Sequence, residues 1–188
     1  MSIVALAGLL VGAGVSIWQT GRPGVLNGIG GKDGEAWTTD PDIGSDNANM
    51  LLRAHTARRG LFALNRSEAI YYTRSTDDTG RPLSARCYYR IDGGELPAKW
   101  WSITIYAADA FLPRNDTGAY SINKSSLEQN DAAWSALLSN KKVGETGNWI
   151  STDQAGEFDL VLRLYEPDED LLASVVAADF PRIRRLSC

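Results

Sequence analysis

Six carboxylates are available for acid–base work: Asp77, Asp78, Asp109, Asp116, Glu157 and Asp159. Two of them paired across a sheet would suit glycoside hydrolysis, one as general acid and one as base or nucleophile. Asp77, Asp78 and Asp109 lie in turns, where Asp is also ordinary turn chemistry. A second group of residues suits holding a ligand. Trp100, Trp101, Tyr106, Tyr120 and Trp149 offer flat apolar faces, and Arg163 offers a planar fork of donors. The candidate ligand-binding set is Trp100, Tyr106, Asp109, Asn115, Tyr120 and Arg163. Arg163 sits in FDLVLRLY on the face opposite the leucines. On a covered face it needs an anionic partner from protein or ligand; on a solvated face it implies nothing.

The residue inventory excludes much else. There is one His, His55, and there are two Cys, Cys87 and Cys188. A structural zinc site needs about four such ligands, and a Ser-His-Asp triad could draw only on His55. His55 lies on a predicted helix with no evident carboxylate partner, which favours a packing or surface role. No calcium-loop pattern is present. Gly31-Lys32 lacks the Gly and the Ser or Thr of a phosphate-binding loop, since Leu26 and Asp33 occupy those positions. Gly28-x-Gly30 lacks its third Gly, and no strand is predicted before it. Neither a cofactor nor a metal is called for. The net charge of −4 argues against nucleic acid as a partner. The basic cluster Arg182, Arg184, Arg185 reads as a solvated strand end.

The elements that must position these residues follow from periodicity. Residues 46–59 read as one amphipathic helix, with Met50, Leu51, Ala54 and Ala57 on the apolar face. Ser45 or Asp46 can cap its start; Arg58, Arg59 and Gly60 suit its end. EAIYYTR at 68–74 and LSARCYYRI at 83–91 are β-rich, and STDDTGRP between them turns, so the two read as a hairpin with a long loop. The strand at 99–106 points Trp101, Ile103 and Ile105 one way and Trp100, Ser102, Thr104 and Tyr106 the other. DAAWSALLS at 131–139 fits a short helix or a strand with Trp134, Ala136 and Leu138 on one face. NWIS at 148–151 is a brief strand. FDLVLRLY at 158–165 alternates most clearly, Pro167 can start a short helix, and PRIRRLSC can return as an edge strand. Short strands separated by turns predict a mainly β protein, a sandwich or open barrel with one helix ahead of the strands.

Ahead of this lies an apolar run. Residues 3–18 carry no charge and end on Trp18, which suits a retained membrane anchor. A cleaved signal peptide, without its usual basic start, and a buried core helix are the alternatives. Gly8-x-x-x-Gly12 matches a helix-dimerisation pattern and marks a weak homodimer contact. Arg22 and Lys32 after the span lean weakly towards a cytoplasmic C-terminal part. The division predicted is an anchor or signal segment at 1–20, a flexible Gly-rich linker at 21–44 and a β domain at 45–188.

YYTRSTDDTGRPL, WWSITIYAADAFLPRNDTGAYSI and GNWISTDQAGEFDLVLRLYEP, in that order, resemble the bacterial family called domain of unknown function 1214. The likeness runs over about 48–188. It implies a jelly-roll-like β-sandwich, a strand at 131–139, and an envelope protein of the short membrane-anchored form. The implied place is the bacterial inner membrane, single-pass, with the folded part in the periplasm. The family carries no established reaction, so no catalytic residue is transferred. In an oxidising compartment Cys87 and Cys188 can pair; a buried thiol at 87 and a frayed one at 188 is the alternative. Three functions are consistent with this reading. One is a membrane-anchored module that binds a small molecule or carbohydrate or mediates an interaction. Another is a hydrolase of an envelope or sugar-like substrate acting through paired carboxylates. The third is a structural partner in envelope assembly. Asn65, Asn115 and Asn123 head glycosylation-like triplets that are chance matches in a bacterial protein.

Overall fold

The structure, a computed structural model, describes residues 29–30, 37–58, 63–127, 133–144, 147–175 and 179–188. The apolar run at 3–18, Gly8 and Gly12 lie outside them. Among the described residues ten strands and two α-helices follow in order, besides a short 3-10 turn at Lys124–Ser126: β1 (Ile29–Gly30), β2 (Thr38–Thr39), α1 (Met50–Arg58), β3 (Ala69–Arg74), β4 (Tyr88–Gly93), β5 (Ala98–Ala107), β6 (Ser121–Asn123), β7 (Trp134–Ser139), β8 (Asn148–Ser151), β9 (Phe158–Pro167), α2 (Glu169–Ala173) and β10 (Arg182–Ser187). The protein is mainly β. Among the described residues no helix is long and apolar enough to cross a membrane.

Period-two alternation decides how the strands stack. In β9, Phe158, Leu160, Leu162 and Leu164 are all buried on one side, and β5 sets Trp101, Ile103 and Ile105 beside them in antiparallel register. These strands centre a six-stranded sheet in the order β1-β2-β3-β9-β5-β6. A four-stranded sheet, β10-β4-β7-β8, faces it. Its inward residues Tyr89, Ile91, Leu138, Ile150 and Ile183 have no exposure, and both sets join one hydrophobic core. Truncating any such Leu or Ile to Ala would cost about 2–5 kcal/mol. Trp134 stacks on Trp101 with ring centroids 4.8 Å apart. That stack requires Gly93: a Cβ there would lie 2.3 Å from the Trp134 ring.

Several expectations change. Residues 68–74 and 83–91 do not form a hairpin. The chain does reverse between them, with Thr76 bridging Pro82, but β3 pairs with β9 and β4 pairs with β10 and β7. Hairpin loops mostly run to about two to five residues; the loop between β3 and β4 is longer and carries the chain from one sheet to the other. Within the ambiguous 131–139 segment, Trp134–Ser139 is strand β7, with Trp134, Ala136 and Leu138 inward. Packing begins ahead of residue 45: Trp37 is buried in the main core and donates to the Pro181 carbonyl at 2.8 Å. Two short strands, β1 and β2, therefore precede the helix.

The helix α1 starts later than 46. Asn49 caps it, its side-chain oxygen accepting from the Leu52 amide at 2.9 Å. Its buried residues are Leu52 and His55, whereas Met50 and Leu51 are exposed. A helix of nine residues has little apolar surface, so docking decides its rotation. Leu52 enters a small cluster with Ile43, Ala69 and Tyr71 on the outer side of β3.

Candidate functional site

The outer face of the six-stranded sheet holds Trp100, Tyr106 and Arg163, three of the six residues singled out by sequence. Arg163 pairs across with Ser102 and Tyr71. Its guanidinium donates to Thr104 Oγ1 at 3.2 Å and to Tyr106 Oη at 2.7 Å, and lies 5.5 Å from the Tyr106 ring centre. All of its partners among the described residues are neutral. Because both hydroxyls accept from Arg163, their own protons are directed elsewhere. Trp100 sits apart from this group. It packs on Tyr165 with ring centroids 5.4 Å apart and donates from Nε1 to Ser125 Oγ at 2.9 Å.

Asp109, Asn115 and Tyr120 belong to the loop after β5. Asp109 Oδ1 accepts from the Phe111 amide, and Asn115 Oδ1 accepts from Thr117 and Gly118. Tyr120 donates to the Asn115 carbonyl at 3.3 Å. These are turn-forming bonds, and they hold Phe111, which is 72% exposed, out in solvent. The six predicted residues thus fall into three groups: Tyr106 with Arg163, Trp100 with Tyr165, and the loop.

The carboxylates Asp77 and Asp78 serve the fold. Asp77 is fully buried. Its Oδ1 accepts from the Thr79 amide, the Thr79 hydroxyl and the Arg81 amide at 2.9, 2.6 and 3.1 Å. Its Oδ2 lies 2.8 Å from Arg185 Nε and 3.5 Å from Arg81 Nε. Burial pushes this carboxyl up, but the hydrogen bonds from Thr79 and Arg81 and the Arg185 charge outweigh it. Its pKa therefore lies below the ordinary Asp value. Asp78 Oδ1 accepts from Arg74 on β3 at 2.6 Å and from the Ile183 amide on β10 at 2.9 Å. Together the two aspartates latch one sheet to the other. The other carboxylates stand apart from this pair: Asp116 and Glu157 are exposed, and Asp159 is buried opposite Tyr106.

Cys87 and Cys188 are joined by a disulfide with S–S 2.07 Å. It ties the end of β10 to the residue before β4.

A concave site opens on the outer face of the other sheet. β7 and β8 are a parallel pair in an otherwise antiparallel sheet. The described residues between them, 140–144 and 147, bring Lys142, Val143 and Gly147 beside the outward side chains of Leu137 and Trp149. Lys142, Val143 and Gly147 wall one side of a groove of about 220 Å³. Leu137, Trp149, Asn148, Ser135 and Arg90, with Ala136 of β7, complete the lining. Trp149 is half-buried and uses its Nε1 on Ser139 Oγ at 3.0 Å. What it offers a ligand is its apolar ring.

Beside the groove two guanidiniums share one carboxylate. Arg90 Nε donates to Asp92 Oδ1 at 2.7 Å. Arg184 donates from Nε and Nη2 to Asp92 Oδ2 at 3.1 and 2.7 Å. Asp92 thereby orients both forks. Both Arg90 terminal amino groups and Arg184 Nη1 have no bonding partner among the described residues.

The family model described as "Protein of unknown function (DUF1214)" matches residues 68–169. The chain belongs to this family. In solved structures it resembles the VPA0106 protein from Vibrio parahaemolyticus, at 21% identity and TM-score 0.59 over 74% of this chain. It also matches an uncharacterised protein from Burkholderia cenocepacia, at 18% identity and TM-score 0.47 over 63% of this chain. The chain spans only 36% and 30% of the length of those two proteins. No curated protein matches.

The DUF1214 match takes in β3 to β9 and therefore Arg90, Asp92, Trp149 and Arg163. It stops before β10, which supplies Arg184. Trp149 was legible in the sequence as an aromatic platform, but Arg90 and Arg184 were not. The available signal was the parity of RIRRLS. Arg182 and Arg184 share one face, while Arg185 turns the other way to Asp77, so the run is not one solvated cluster.

Proposed function

We propose that this DUF1214 protein is a ligand-binding module of jelly-roll-like design, which takes a small molecule or carbohydrate in the Trp149 groove. The carrying observation is that groove: a concavity with an aromatic ring and Leu137 as its apolar part and Asn148, Ser135, Arg90 and Lys142 as its polar part. Small-ligand sites combine these elements, a flat apolar surface with a few directional polar groups. The hydrolase alternative loses support because Asp77 and Asp78 are engaged by arginines. The reading also places residues 3–18 in the inner membrane and the folded part in the periplasm, where a disulfide is stable.

Trp149→Ala tests the reading. Ligands from a panel of soluble sugars and sugar acids are titrated by calorimetry against the full chain. The variant is expected to lose at least tenfold in affinity for any that bind while keeping its unfolding midpoint within a few degrees. Unchanged binding by the variant would overturn the groove as the site.

A further inference from the structure

We infer that the groove's ligand is an acidic saccharide, whose carboxylates or other anionic groups dock on the Arg90–Arg184 pair; this rests on the groove reading above. The strand register carries the inference. Arg184 pairs with Arg90, Arg90 with Leu137, and Leu137 with Trp149. These four residues make one continuous row across the sheet. Strands are spaced about 4.8 Å apart, so Trp149 and Arg90 are about 10 Å apart along the row and Arg184 about 5 Å further. The row therefore runs from an apolar ring to two oriented guanidiniums over the length of a short oligosaccharide.

The chemistry at the cationic end is specific. Asp92 fixes both forks, Arg90 and Arg184 being half-exposed and Asp92 30% exposed. Their unused N–H groups match the planar, two-oxygen shape of a carboxylate or a phosphate face. Arg182, also exposed, pairs with Asp92 in the neighbouring row. On the described strands of this outer face, three arginines stand against one carboxylate.

Charge decides between saccharide and other polyanions. The whole chain carries −4, and Asp92 cancels part of its local arginine charge. A nucleic-acid surface needs many uncompensated cations to release counterions, and a membrane-docking face would thrust its aromatic residue outward. Here Trp149 is half-buried and tethered by its Nε1 in a groove. Directional hydrogen bonds at one end and a stacking ring at the other suit a sugar acid.

The test uses the full chain at low salt with a galacturonic acid trimer and its methyl-esterified form, which keeps the rings and removes the charge. The acid form is expected to bind at least tenfold tighter, and the difference is expected to shrink as salt is raised. Arg90→Ala and Arg184→Ala should each cut that preference for the acid form severalfold. Equal binding of acid and ester, lost in Trp149→Ala, would overturn this inference and leave the groove reading standing. No binding of either trimer would overturn this inference, while the groove reading would still be judged by the wider panel. Tighter binding of oligo-dT or of phosphatidylglycerol vesicles than of the acid trimer would overturn the assignment to a saccharide. The acid–ester comparison on the unmodified chain stands whether or not a variant folds.

Discussion

Replacing Asp77 by Asn removes one negative charge from a fully buried site and leaves its shape almost unchanged. The Oδ1 bonds to Thr79 and Arg81 can persist. The Oδ2 side cannot: an amide would face Arg185 Nε, now 2.8 Å from the carboxylate. Arg185 is only 14% exposed on its side chain, so its charge would be left without a counter-charge in a poorly solvated place. Breaking a buried pair in this way costs about 3–5 kcal/mol. The Arg81 contact adds little, since that side chain is 58% exposed. With an m-value near ~2 kcal/mol/M, the urea midpoint should fall by about 1.5–2.5 M at pH 7 with no change in slope. The pH dependence follows from the direction of the shift. Asp77 titrates lower in the folded state than in the unfolded chain. Its stabilisation is therefore complete above about pH 4, the unfolded value, and is lost as pH falls below it through the folded pKa. The Asn variant should lack that part of the acid slope. A loss under about 1 kcal/mol, or an acid slope matching the unmodified protein, would refute the latch. Arg185→Met combined with Asp77→Asn should cost less than the sum of the two changes, because each removes the other's unpaired charge.

Reduction of the Cys87–Cys188 bridge should raise the mass by about 2 Da, and Cys188→Ser should destabilise the protein by up to about 4–5 kcal/mol, because the bridge closes a loop between residues 101 apart. An unchanged mass on reduction would refute the bridge. Arg163→Leu should cost about 1 kcal/mol in urea unfolding, since it breaks bonds to two hydroxyls that are partly exposed and can turn to water. A loss above about 3 kcal/mol would mean that the guanidinium is a structural element of the outer face.

Much of the core was legible because strand periodicity records which side of a strand is apolar. FDLVLRLY and WWSITIY predicted their inward residues correctly, and the family resemblance resolved 131–139 as a strand. Periodicity is silent on which sheet a strand joins. EAIYYTR and LSARCYYRI looked like partners because a turn separates them, yet each has an apolar side that fits either layer. The same limit hid the parallel β7–β8 pair, and with it the return loop that walls the groove. Of the candidate residues, Tyr106 and Arg163 meet because they lie on one face of adjacent strands. Trp100 shares that face, but it packs against Tyr165 and bonds Ser125 instead. Asp77 looked like turn chemistry, and it is that as well; its arginine partner is 108 residues away, beyond any local pattern.

The position of Arg184 ties the latch to the candidate site. β10 is an edge strand of its sheet and lies outside the matched family region, so its placement beside β4 depends on what anchors it. Two anchors bracket Arg184. On one side Ile183 exchanges hydrogen bonds with Asp78, its amide donating to Oδ1 and its carbonyl accepting from the Asp78 amide at 2.8 Å. On the other, Arg185 reaches Asp77, and Cys188 is bonded to Cys87. An exposed edge residue held from both sides loses much of the freedom that an arginine would otherwise surrender on binding an anion. Asp77, Asp78 and the disulfide thus do more than hold the fold together. They hold the second guanidinium in register with Arg90, which lies inside the family match, and so complete the anion-facing pair next to the Trp149 groove.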